Sequence, residues 1–282
     1  MSQPSDSSLR VFVFGAGKVG RALARALRRA GVAVTLRASR AGLPQKTHAT
    51  LVILAVSDRE LPAVAYRMAG SGVVGDEAAV VHVAGALGPE VLAPLRGMCA
   101  GVGQMHPLAS FASLTKTPRL AGTAVHIQGD RIAVARARQV ARRIGMKPWT
   151  QPDLHTARYH AAAGLVANGT AALAAVATEL LAAAGVARGR APGMLGPLIR
   201  TVADNVEALG LPDALTGPVR RGDVRTVERH IQAVLSTVPD ALELYAASAR
   251  AQLVLARAIK DAPRSHLEEI ARLLADPFRS RT

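Results

Sequence analysis

Val11-Phe-Val-Phe-Gly15-Ala-Gly17-Lys-Val-Gly20 decides how this chain is read. The apolar run Val11 to Phe14 has the β-branched and aromatic content of a buried strand. The amphipathic stretch Arg21-Ala-Leu-Ala-Arg-Ala-Leu-Arg-Arg-Ala30 leads out of the glycines as a helix, and Gly31 ends it. A second apolar run, Val32-Ala-Val-Thr-Leu36, follows. Strand, glycine turn, helix and strand within about 30 residues is the dinucleotide-binding unit. Each glycine has its own task. Gly15 allows the tight turn, Gly17 lets backbone approach a pyrophosphate, and Gly20 lets the helix lie close on the strand. Ala16, Lys18 and Val19 complete the turn, where the helix N-terminus offers free N–H groups and a positive dipole to phosphate.

The end of the second strand selects the dinucleotide. A site for NAD places Asp or Glu about 20 residues on, against the ribose 2′-hydroxyl. This chain has Arg37-Ala-Ser39-Arg40 there instead. Guanidinium groups bind phosphate oxygens in bidentate, charge-assisted pairs. Arg37, Ser39 and Arg40 therefore suit a 2′-phosphate, and the expected cofactor is NADP rather than NAD.

Composition narrows the class. The 282 residues are half apolar, enough for two domains with sizeable cores. The net charge of +15 and pI near 11.3 raise nucleic acid and anionic membranes as partners. The basic residues, however, are nearly all Arg and are spread along helices rather than clustered. Aromatic residues make up only 3%, which leaves no stacking platform for single strands. No nucleic acid is expected as partner; part of the charge suits an anionic cofactor and a small anionic substrate. Cys99 is the only cysteine, so neither a disulfide framework nor a thiolate metal site forms within one chain, and no metal is expected. The polar start, Met1 to Ser8, has no hydrophobic signal region and reads as a short disordered lead, which implies a cytoplasmic location.

Apolar runs and helical stretches alternate up to about residue 150. Strands are expected at Thr50–Val56, Ala79–Gly85, Gly101–Met105 and Thr123–Gln128, with Asp58 capping the helix after Ser57 and Asp130 opening a helix through Ile144. Such alternation implies an α/β fold with a parallel sheet covered on both faces. Ligands bind beyond the carboxyl ends of such strands, which places Val56, Ser57, Ala84, Gly85 and His106 around the cofactor crevice. From Trp149 the pattern changes, and the remainder reads as helical: one long helix from Asp153 to Ala184, then helices near 194–209, 222–235, 238–259 and 265–275. Two domains follow, a Rossmann NADP-binding domain over 9–152 and an all-helical substrate and dimerisation domain over 153–282. The stretch Ala161 to Gly185 has the length of a membrane span. Its Asn168, Thr170, Thr178 and Glu179, and the weak apolarity of alanine, argue instead for close helix packing in a homodimer interface and against a membrane.

The order of motifs resembles a known group. The glycine turn is followed by Val81-His-Val-Ala-Gly85, His106-Pro-Leu-Ala-Ser-Phe111, Arg158-Tyr-His160-Ala-Ala-Ala-Gly-Leu-Val-Ala-Asn168 and Leu215-Thr-Gly-Pro-Val-Arg-Arg-Gly-Asp223. From residue 9 onward this resembles two-domain Rossmann-like proteins whose C-terminal part is a domain of unknown function. These are similar to ketopantoate reductase, pyrroline-5-carboxylate reductase and prephenate dehydrogenase within the 6-phosphogluconate dehydrogenase superfamily. The resemblance implies NADP binding, a helical domain that often dimerises, and hydride transfer to a small 2-oxo acid or imine. In ketopantoate reductase-like enzymes the long helix carries a Lys four residues before an Asn. Asn168 matches that Asn, but Gly164 stands at the Lys position. Proton supply would then fall to His160 or His106, with Asn168 bonding the reacting atom. His160 and Asn168 lie about 12 Å apart along a helix and roughly 80° apart around it. Thr216, Arg220 and Arg221 are candidates to grip a substrate carboxylate, and Asp223 is expected to cap a helix. The missing Lys equally suits a non-catalytic NADP-binding sensor or interaction protein.

Overall fold

The first strand, β1 (Arg10–Phe14), and the helix α1 (Lys18–Arg29) arise where the sequence places them, because the residues between them can turn sharply. The computed structural model describes residues 9–277; the N-terminal lead lies outside the described residues. Gly15 has φ +113°, and a methyl group there would collide with the Ala55 carbonyl. A methyl group on Gly20 would collide with the Gly15 carbonyl and press on Ala55 Cβ at 3.2 Å. Gly17 is different, for the space its side chain would enter is open. Ala22, Leu23, Ala24 and Leu27 form the buried stripe of α1.

A seven-stranded sheet is built from β1, β2 (Ala33–Arg37), β3 (Leu51–Leu54), β4 (Ala79–His82), β5 (Gly101–Pro107), β6 (Ala124–Gly129) and β7 (Lys147–Trp149), in the order β2-β1-β3-β4-β5-β6-β7. Helices α2 (Leu61–Ser71) and α3 (Arg131–Arg143) complete the unit. Three details differ from the sequence reading. First, the sheet is not wholly parallel, since β6 runs antiparallel to β5. Parallel neighbours need a crossover helix, and only an irregular connection joins these two. Second, β7 is a short edge strand that the change of pattern at Trp149 concealed. Third, Asp58 caps nothing: α2 has Glu60 at its N-cap position, and the Glu60 carboxylate accepts from Ser57 Oγ at 2.9 Å. Asp130 does stand at the start of α3, but its carboxylate accepts from the Val102 N–H at 2.9 Å and so ties α3 to β5.

The remainder is helical: α4 (Thr156–Ala183), α5 (Ala191–Leu209), α6 (Pro218–Arg221), α7 (Val224–Thr237), α8 (Leu242–Ile259) and α9 (Arg264–Ala275). The chain divides into two compact units between Ala167 and Asn168, within α4, whereas the sequence boundary of 152/153 falls just before that helix. In the second unit Val227, Ile231, Leu242, Leu253, Leu267 and Ile270 form the centre of a core supplied by α6 to α9. Asp223 caps α7, accepting from the Thr226 N–H at 3.0 Å. By length and composition α4 could cross a membrane, and none of its residues is buried.

The glycine contacts make a stability prediction. Gly20→Ala should lower stability by about 1–3 kcal/mol, since helix and strand must part to admit the methyl group. Gly17→Ala should cost within about 1 kcal/mol, as its methyl enters open space. Chemical denaturation of both variants checks this, and equal losses would refute it.

Candidate functional site

The carboxyl ends of β4 and β5 carry the chemically richest cluster in the first unit. The segment after β4 holds Val83, Ala84 and Gly85, and two buried polar side chains fix it. Gln104 Nε2 donates to the carbonyls of Ala84 and Leu87, each at 2.7 Å. His82 accepts from the Ala84 N–H on Nδ1 at 3.2 Å, so its Nε2 carries the proton and donates to the Gly88 carbonyl at 3.0 Å. Both side chains are fully buried, and burial lowers the His82 pKa, which keeps the ring neutral. Thr156 Oγ1, in the first turn of α4, donates to the Ala86 carbonyl at 3.1 Å.

Two imidazoles close over this segment. A methyl group on Gly85 would collide with His160 Nδ1 and His106 Nε2, so a side chain there would displace the rings. The rings of His106 and His160 lie 5.8 Å apart between centroids and meet edge to face. His106 Nδ1 is 3.2 Å from the Tyr159 hydroxyl. Burial, assisted by the neighbouring His160, His126 and His82, brings the His106 pKa down from 6.5 to about 4. Burial also raises the Tyr159 pKa. Both groups are therefore neutral near pH 7. Behind them His126 and Trp149 pack on Tyr159, at centroid distances of 5.7 and 5.9 Å. His126 Nε2 accepts from the Gln151 N–H at 3.4 Å, which leaves Nδ1 to donate to Gln104 Oε1 at 3.3 Å.

His106, His160 and Gly85, singled out in the sequence, are thus brought together. Tyr159, Gln104 and His126 join them without having been selected. A polar residue inside an apolar strand was the available signal for Gln104 and His126, and Tyr159 stands beside His160 in the same motif. The other predicted positions belong to other segments of the chain. The glycine turn fits a dinucleotide phosphate: no side chain caps α1, so the N–H groups of Lys18, Val19 and Gly20 lack a capping partner, and Gly17 leaves open space. Val56 and Ser57 follow β3, in the stretch carrying Ala55 against that turn. Arg37 ends β2, but its guanidinium donates to the carbonyls of Gly42 at 2.7 Å and Ala41 at 2.6 Å and braces its own loop. Ser39 and Arg40 lie in the short 3-10 turn so formed. In the second unit, Arg220 is held by Asp261 at 2.7 Å and by the carbonyls of Asp213 and Leu215. Thr216, Arg221 and Asn168 are exposed.

Residues 36–107 match a Rossmann-like domain, and residues 123–252 match a domain of unknown function, DUF2520. Among solved structures, the chain is similar to a Bacteroides fragilis protein designated an NADP oxidoreductase, with TM-score 0.69 and 22% identity over 88% of this chain and 99% of that one. It is similar to the reductive aminase from Aspergillus terreus in complex with NADPH and ethyl levulinate, with TM-score 0.57 and 18% identity over 97% and 100% of the two chains. It is also similar to pyrroline carboxylate reductase from Plasmodium falciparum with NADP bound, with TM-score 0.57 and 12% identity over 88% and 99%. A search of curated proteins finds no match. At these identities the likeness is one of fold.

The lowered His106 pKa predicts a pH-dependent stability. Unfolded, this histidine takes up a proton near pH 6.5; folded, it does so only near pH 4. Between those values the unfolded chain binds more protons, so stability is full above about pH 6.5 and falls as the pH drops toward 4. The urea midpoint should follow that course, and His106→Gln should make it less steep, the remainder coming from His82 and His126, whose pKa values burial also lowers. A midpoint equally pH-dependent in the variant would refute the assignment.

Proposed function

We propose that this protein, in which a Rossmann-like domain is joined to a DUF2520 domain, is an NADPH-dependent reductase of a small imine or 2-oxo acid. The pair of imidazoles over Gly85, at the carboxyl edge of a dinucleotide-binding sheet, carries this reading. The complexes of similar fold with NADP and NADPH support it.

The residues present fit the cofactor. The uncapped N–H groups of Lys18, Val19 and Gly20 would hold its pyrophosphate, with Gly15, Ala16 and Gly17 shaping the turn. Ser39 and Arg40 would hold the 2′-phosphate, and Val56, Ser57, Ala84 and Gly85 would line the path toward β4 and β5. When bound, the nicotinamide supplies the hydride. The protein supplies orientation and a proton. In the tautomer this reading uses, the Tyr159 hydroxyl donates to His106 Nδ1, and the neutral ring carries its proton on Nε2, the atom next to Gly85. His106 is in this way a fixed hydrogen-bond donor rather than a cationic acid. His160, exposed to solvent, is the residue able to give up a proton and recover it from water. Gln104 and His82 hold the Gly85 segment still, so that both imidazoles keep one geometry.

The purified protein should oxidise NADPH with at least one member of a panel of cyclic imines and 2-oxo acids that includes ketopantoate. His160→Ala should lower kcat by about 10²–10⁴-fold while NADPH affinity stays within a few-fold. NADPH binding without turnover on any member would favour a non-catalytic NADP-binding protein, the reading suggested by the absence of lysine from α4.

We also propose that the protein is a homodimer built largely from its helical part. Of the 19 residues of α5 only Ala191 is buried, and Leu198, Val202, Val206 and Leu209 are exposed. An apolar face of this length normally has a partner. Light scattering should give twice the chain mass of 29.3 kDa, and Val202→Asp should shift the protein toward monomer. A wild-type monomer at micromolar concentration would refute this.

A further inference from the structure

The structure assigns a phosphate-monoester site to a cavity of about 560 Å³ between the loop after β2 and the helix α2, with Arg67 as a binding residue that the glycine-turn motif does not include. This inference rests on the dinucleotide reading above and alters its details. The cavity is lined by Phe14, Ser39, Arg40, Leu43, Arg67 and Ser71, among others. Arg40 comes from the 3-10 turn and Arg67 from α2, so one cationic side chain is supplied by each wall. Among the described residues neither guanidinium has a hydrogen-bond or ion-pair partner.

Three observations point to a phosphate. First, the lining is cationic: it includes Arg40 and Arg67 and no Asp or Glu. From Ser7 to Ser57 there are nine Lys and Arg residues and no acid, and the acids Asp58 and Glu60, which precede α2, are not among the lining residues. Two like charges at one cavity whose lining holds no acid favour an anionic occupant. Second, the lining provides a hydroxyl as well as guanidiniums, from Ser39, and phosphate oxygens accept from both; the Ser71 hydroxyl is already given to the Met68 carbonyl. Third, Arg37 is already engaged by the carbonyls of Ala41 and Gly42. It shapes the turn that presents Ser39 and Arg40, and Arg67 takes the place beside Arg40 that the sequence pattern gave to Arg37.

A phosphate monoester can come from two sources, the 2′-phosphate of NADPH or a separate phosphorylated molecule. Binding of NADPH, NADH, and inorganic phosphate to the full chain is measured by calorimetry, for wild type and for Arg67→Gln. Lys46→Gln, which removes a nearby charge outside the cavity, controls for long-range attraction. If the 2′-phosphate is the occupant, Arg67→Gln should weaken NADPH about 10- to 100-fold, leave NADH within twofold, and phosphate should compete with NADPH. If the occupant is a separate molecule, phosphate should bind alongside NADPH and lose affinity in Arg67→Gln. Either result supports the site. A wild type that binds phosphate through Arg67 but neither dinucleotide would refute the dinucleotide reading and leave the site standing. If Arg67→Gln changes neither NADPH nor phosphate binding, or no more than Lys46→Gln does, the site is refuted whatever happens to the dinucleotide.

Discussion

The close approach of α1 to the sheet is the constraint on which the rest of the first unit depends. Gly20 lies against the Gly15 carbonyl, and Gly15 against that of Ala55. A side chain at either glycine would lift the helix from β1 and β3. Its N-terminal N–H groups would then leave the carboxyl edge of the sheet, where phosphate is best held. The same approach lets Leu23 and Leu27 reach the core beside Val11, Val13 and Ile53. One steric fact therefore serves packing and binding together.

At the other end of the crevice, geometry is maintained by polar groups rather than by packing. Gln104 is buried with both amide hydrogens given to carbonyls and its oxygen accepting from Gln128 and His126. An unpaired buried amide costs roughly 1–3 kcal/mol, so displacing the Ala84–Leu87 segment would forfeit several such bonds at once. His82 adds a second restraint from below, with a defined tautomer. The rigidity of the strands is passed in this way to an irregular segment, and Gly85 is held beneath His106 and His160. A neutral His106 suits this arrangement, since burial disfavours its charged form.

The second unit rests on ordinary apolar packing. Its core is formed by α6 to α9, where Val, Ile and Leu recur at helical spacing. Val176 and Leu180 of α4 pack against this core from its edge. The contrast within one unit is physical. Helices α7, α8 and α9 each have a buried stripe, whereas α5 exposes apolar side chains along most of its length.

The sequence by itself determined whatever depends on neighbours along the chain. The glycine spacing specified strand, turn and helix, because the turn itself needs the positive φ of Gly15 and the contact of Gly20 with the Gly15 carbonyl only five residues away. The helical second half was legible, with ends within a few residues, since Pro and Gly interrupt helices locally. Asp223 was identifiable as a cap because its acceptor bond reaches only three residues. Only the tertiary structure decided what distant residues do to one another. The antiparallel course of β6, the meeting of Tyr159 with His106 across 53 positions, and the engagement of Gln104 by a loop 17 to 20 residues away leave no periodic trace. An arginine at the end of β2 suits phosphate in any sequence, and only the folded loop shows that two of its donors, on Nε and Nη2, are given to the carbonyls of Gly42 and Ala41.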